Sequence, residues 1–129
     1  MSAPTLRFAR RCDDPFALAM QYCRGLGFEE LGRFTGHEGY DGVMLGWADA
    51  GWHLEFTRAP DRRPAAPDAE DAIVLYCGDE AVRQERRETA IAAGFASLLA
   101  LNPYWARNGH CLIDHEGFIV ILALGDWRR

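Results

Sequence analysis

Asp14-Pro15-Phe16-Ala17-Leu18-Ala19-Met20-Gln21-Tyr22-Cys23-Arg24-Gly25-Leu26-Gly27-Phe28 reads as one short helix with both of its ends written out. Asp14 is a side-chain acceptor placed to take the first free backbone N–H groups, and Pro15 fits the first helical position, where no N–H is needed. Phe16, Ala19, Met20 and Cys23 recur at i, i+3, i+4 and i+7, which predicts one apolar stripe. Gly25 and Gly27 close the helix. Before it, Thr5 to Arg11 alternates imperfectly and reads as a strand. After it, Phe28 to Phe34, Gly42 to Trp47 and Trp52 to Arg58 read as three strands, parted by glycine-rich turns at Gly36 to Gly42 and Asp49 to Gly51. The order is β-α-β-β-β.

The same order then returns. Ala59 to Asp71 holds Pro60, Pro64 and Pro67 among mixed charges, so it is neither a helix interior nor a central strand and reads as a linker. Ile73 to Cys77 is an apolar strand, and Asp79 caps a second helix that runs to about Ala93 and closes at Gly94. Phe95 to Leu101 reads as a strand and Asn102 to Gly109 as a loop. His110 to Asp114 and Phe118 to Leu124 read as a hairpin. The repeat lies in element order, in the Asp before each helix and in the glycine after it. Two such modules predict an α+β fold: a single domain over 1–129, with module one at 5–58, linker 59–71 and module two at 72–124. Two curved sheets are expected to enclose a shared cleft.

Composition excludes several classes of function. With 49 % apolar and 26 % charged residues the 129-residue chain has the balance of a globular protein, and its longest apolar run, Phe118 to Leu124, is strand-sized. A net charge of −5 without a basic stripe argues against a nucleic-acid or membrane partner. All 14 basic residues are Arg, which removes lysine Schiff-base chemistry. Cys12, Cys23, Cys77 and Cys111 have no CxxC spacing and read as buried free thiols rather than disulfides or a zinc site. The first residues lack a basic flank followed by an apolar stretch, so a cytoplasmic location is expected. No phosphate loop, dinucleotide fingerprint or nucleophile elbow is present.

Three stretches carry a resemblance to a known family: Asp14 through Gly25-Leu26-Gly27-Phe28; His53-Leu54-Glu55-Phe56; and Tyr104-Trp105 to Gly109 with Asp114-His115-Glu116-Gly117. The chain resembles the vicinal oxygen chelate superfamily of glyoxalases, bleomycin-resistance proteins and extradiol dioxygenases. Gly36 to Gly46 and Asn102-Pro103-Tyr104-Trp105 are similar to small bacterial members of the YycE type. The resemblance implies paired β-α-β-β-β modules and, in the enzymes, one divalent metal held by four side chains. Carried over position by position, those ligands fall on Arg7, Glu55, Ala72 and Ile121. Only Glu55 offers a lone pair for a cation, so the expectation is no family-type metal site and no cofactor.

Strand periodicity says what stands there instead. If Glu55 faces the cleft, His53 and Thr57 do too, while Leu54 and Phe56 face the helix. Arg7 and Ala9 share the corresponding face of the first strand. An Arg7–Glu55 ion pair with His53 alongside is therefore predicted; it either plugs the cleft, anchors a ligand, or takes part in catalysis. Trp47, Trp52, Tyr104 and Trp105 either line a pocket or pack in the core. His37, Glu38 and Asp41 form a lid or a solvated turn. Two functions stay open. One is a metal-free protein that binds a small, partly apolar ligand through Arg7, His53, Glu55, Trp47, Tyr104 and Trp105. The other is a glyoxalase-related lyase, isomerase or dioxygenase-type enzyme with Glu55 as base, either with Arg7 holding an oxyanion or with a rebuilt metal site. The resemblance also implies a homodimer.

Overall fold

A computed structural model describes residues 3–127. The chain divides into two compact units, Met1–Ala65 and Ala66–Arg129. Unit one contains β1 (Leu6–Arg11), α1 (Pro15–Leu26), β2 (Glu29–His37), β3 (Tyr40–Gly46) and β4 (Trp52–Arg58). Unit two contains β5 (Ala72–Tyr76), α2 (Glu80–Ala92), β6 (Ala96–Leu98), α3 (Pro103–Asn108), β7 (Gly109–Ile113) and β8 (Ile119–Ala123). The sheets have matching orders, β1-β4-β3-β2 and β5-β8-β7-β6. In each, the first strand runs parallel to the last and the other neighbours are antiparallel. The fold is α+β, built from two tandem β-α-β-β-β modules.

Helix α1 begins where its capping signal lies: the Asp14 carboxylate accepts from the N–H groups of Phe16 and Ala17, at 3.2 and 3.1 Å. It ends at Gly27, whose φ of 73° suits a residue without Cβ. The buried stripe meets the predicted one only at Ala19. Leu18, Tyr22 and Leu26 are at most 1 % exposed, whereas Met20 is 51 % exposed. Phe16 instead lies under the guanidinium groups of Arg33 and Arg58. Helix α1 is apolar on two stripes, so periodicity alone leaves the choice open. The winning stripe carries Tyr22, whose ring meets Phe28 and Phe56 edge-on at 5.7 and 5.0 Å.

The stretch read as a Gly36–Gly42 turn is mostly strand. Only Glu38 and Gly39 separate His37 from its partner Tyr40, with φ of 50° and 86°. Positive φ at both central residues is the twist a two-residue hairpin demands. In unit two, Asp79 accepts from the Val82 N–H at 2.9 Å to start α2, which buries only Ala90 among its residues. The strand expected over Phe95 to Leu101 shortens to three residues. The expected loop at Asn102 to Gly109 is the helix α3, with the Asn102 side chain accepting from the Tyr104 N–H and Pro103 in the first turn. Six residues are too few for a helical period to emerge from sequence. No helix among the described residues is long and apolar enough to cross a membrane.

Candidate functional site

The parallel register sets Arg7 opposite His53 and Ala9 opposite Glu55. Because side chains alternate along a strand, His53, Glu55 and Thr57 share one face of the sheet of unit one. Leu54 and Phe56 point the other way and are buried with Val43 and Leu45 on the α1 side. Arg7 bridges the polar face. Its Nε donates to His53 Nε2 at 2.8 Å and its Nη1 to Glu55 Oε2 at 3.2 Å. The Arg7 side chain is 49 % exposed and that of Glu55 is 14 % exposed. With the guanidinium half in water, the pair contributes on the order of 1 kcal/mol to stability, so its value to the fold is small.

Beside this corner the sheet is apolar and low. Gly46, Met44 and Gly42 on β3 stand opposite His53, Glu55 and Thr57. On β2, Gly32 pairs with Met44 and Phe34 with Gly42. A Cβ on Gly42 would overlap the Phe34 ring, and one on Gly32 would come within 3.0 Å of Met44 Cε. The two glycines thus let Phe34 and Met44 lie across the sheet, giving an apolar floor next to three polar side chains.

The register also locates the counterparts in unit two. Val74 stands opposite Ile121 as Ala9 does opposite Glu55, and Ala72 opposite Ile119 as Arg7 does opposite His53. The Arg7–His53–Glu55 group therefore corresponds to Ala72, Ile119 and Ile121. Four of these positions, Arg7, Glu55, Ala72 and Ile121, are those implied by the family resemblance for metal ligands, and they do not fit a divalent metal. Ala and Ile have no lone pairs, and a guanidinium is a fixed cation. No group of three or more His, Cys, Asp or Glu among the described residues is arranged to hold a metal ion. Ile119, Ile121 and Cys111 form a buried cluster against which Ala72, Val74, Ala100 and Trp105 pack.

Two family models match the chain: the YycE-like N-terminal domain over residues 6–57 and the YycE-like C-terminal domain over residues 70–123. The chain belongs to the YycE-like family. It is 29 % identical over 120 residues to the uncharacterized protein YycE of Bacillus subtilis (strain 168), covering 92 % of this chain and 86 % of that one. It superposes on a crystal structure of a Bacillus subtilis YycE protein of unknown function with a TM-score of 0.86, at 27 % identity over 95 % of this chain and 90 % of the other. The trypanothione-dependent glyoxalase I of Leishmania major shares the fold, with a TM-score of 0.73 at 18 % identity, over 95 % of this chain and 87 % of that one. The YycE-like fold here is accordingly glyoxalase-like, of the vicinal oxygen chelate type.

Of the aromatic candidates, Trp47 and Trp52 lie in unit one but on the other face of its sheet from the polar corner. Trp47 donates from Nε1 to the Gly27 carbonyl at 3.0 Å and packs on Phe28 and Trp52 at 4.6 and 5.6 Å. Trp52 alternates with His53, so this cluster lies on the α1 side of the sheet. Tyr104 and Trp105 belong to unit two, where their rings stack at 4.8 Å and 25°. The hairpin residue Asp41 is tied down, accepting from the Gly36 N–H at 2.9 Å and from Arg58 Nη2 at 2.8 Å. The four cysteines are free, but only Cys12 and Cys111 are fully buried, Cys23 and Cys77 being half-buried; burial pushes the thiols of Cys23, Cys77 and Cys111 up, away from thiolate. Sequence reasoning missed Met44 and Phe34. The signal was the glycine directly across from each, which strand pairing turns into a gap a long side chain can fill.

Proposed function

We propose that the protein binds a small, partly apolar molecule on the open face of the unit-one sheet, without a divalent metal. Arg7, His53 and Glu55 hold its polar end and Met44 and Phe34 carry its apolar part. The observation that carries this reading is the guanidinium of Arg7, hydrogen-bonded to His53 and Glu55 where the family resemblance implies a metal ligand. It brings a positive charge to the corner without coordination chemistry. Metal analysis of the purified protein, with thermal-shift titrations of Zn²⁺, Ni²⁺, Mn²⁺ and Mg²⁺, tests it. The expected result is less than stoichiometric metal and no shift; one tightly bound metal per chain would overturn it.

One observation favours a second reading, an isomerase or lyase. Glu55 Oε1 makes no hydrogen bond within the described residues, which leaves one carboxylate oxygen to take a proton while Arg7 stabilises the developing oxyanion. Glu55→Gln separates the two: a binding protein keeps most of its affinity, whereas an enzyme loses about 10²–10⁴-fold in turnover. A second copy of the chain as partner and a cytoplasmic location belong to the same proposal. Sedimentation equilibrium tests the first and cell fractionation the second.

A further inference from the structure

Unit two carries a pocket of about 200 Å³, lined by Tyr76 at the end of β5, Arg83 on α2, and Tyr104, Trp105, Arg107 and Asn108 on α3. Helix α3 makes it: Tyr104, Arg107 and Asn108 are at i, i+3 and i+4 and share a face. The Arg83 side chain is 11 % exposed and is held from two sides, donating from Nη1 to the Asn108 carbonyl at 3.1 Å and from Nη2 to Glu80. Two of its five N–H donors are thus engaged, and its Nε is buried with no partner. Arg107 pairs with no carboxylate among the described residues. Burial, joined by the charges of Arg83 and Arg87, pushes His110 on the neighbouring β7 below its ordinary range. With Arg83 paired to Glu80 and Arg107 to no carboxylate, the pocket lining keeps one net positive charge in a chain whose net charge is −5.

We propose that this pocket is a binding site for a small planar monocarboxylate. Three features select that class. Two guanidiniums against one Glu80 carboxylate leave a single positive charge, matched by a monoanion rather than a phosphate dianion. A guanidinium presents its N–H groups as a planar fork that fits a carboxylate. The volume lies below the roughly 300–1,000 Å³ of drug-sized sites, so one ring fills it, with the Tyr104–Trp105 stack as an aromatic wall. Trp105 faces two ways, packing on the Ile119–Ile121 cluster beneath and lining the pocket above.

Benzoate and its neutral isostere benzamide, titrated into the ¹⁵N-labelled full chain and followed by NMR, test the proposal. Benzoate is expected to move the Trp105 indole and Arg107 Nε signals saturably, with benzamide about tenfold weaker or worse. Arg107→Gln, an exposed change, is expected to weaken benzoate about tenfold while leaving the melting temperature unchanged. Arg24→Gln, an exposed change on α1, is expected to leave the benzoate response of Trp105 unchanged. Equal binding of benzoate and benzamide, full affinity in Arg107→Gln, loss in Arg24→Gln, or no benzoate-induced shift at Trp105 would each overturn it.

Discussion

The two units share strand order and pairing, yet the same three register positions hold Arg7, His53 and Glu55 in one and Ala72, Ile119 and Ile121 in the other. The difference has a visible source in the connections. In unit one β2 turns into β3 through Glu38 and Gly39 alone. The equivalent connection in unit two, from β6 to β7, contains α3, and its Trp105 packs onto the Ile119–Ile121 cluster. A sheet face covered by its own chain must be apolar; a face left open can carry charge at little cost. What the repeated frame fixes is position, and whether that position is apolar core or a polar cluster goes with the form of the connection.

Swapping the chemistry of one position tests the contrast most severely. Ile121→Glu puts a carboxylate into the aliphatic cluster and is expected to destabilise the protein by about 3–5 kcal/mol, whereas Glu55→Ile in the open corner costs at most about 1 kcal/mol. Urea denaturation of both variants measures this, and equal losses would break the comparison. A smaller effect is expected from Arg7→His. This change sets two imidazoles and the Glu55 carboxylate on one sheet face, a donor set suited to Zn²⁺. It is expected to add roughly 2–3 kcal/mol of stability at about a hundredfold excess of Zn²⁺ over its Kd, where the native chain gains none. An unmoved melting temperature would mean that the corner cannot be rebuilt.

The smallest effect belongs to Asp41, which braces the tight turn where unit two has a helix. Its side-chain bond from Arg58, and then the Gly36 N–H, hold its carboxyl below the usual range. A depressed pKa contributes stability above the ordinary Asp value and loses it as pH falls through the lowered one. Asp41→Asn is therefore expected to be less stable than the native chain at neutral pH, with the gap closing in strong acid. Paired denaturation curves at the two pH values read this directly.

Local signals carried the architecture. The Asp14-Pro15 start, the Gly27 stop and the Asp79 cap act within a few residues, so they survive translation from sequence to structure. The Arg7–His53–Glu55 contact was legible because alternation fixes the face of a strand once one residue is assigned. The buried stripe of α1 was not, since Phe16 and Met20 are as apolar as Leu18 and Leu26 and only the tertiary partners of Tyr22 decide between them. Helix α3 shows the same start signal, Asn102-Pro103, but lacks the length for periodicity to confirm it. With α3 read as a loop, the alignment of Tyr104, Arg107 and Asn108 was hidden.

The contact between Arg7 and His53 has a chemical handedness. A guanidinium nitrogen has no lone pair to offer, so in that hydrogen bond the imidazole Nε2 must be the acceptor and the ring proton must reside on Nδ1. One cation thereby selects a single tautomer of its neighbour. The other ring nitrogen of His53 is then an N–H that can only give a hydrogen bond, so in the proposed binding site it would favour a molecule that presents an acceptor.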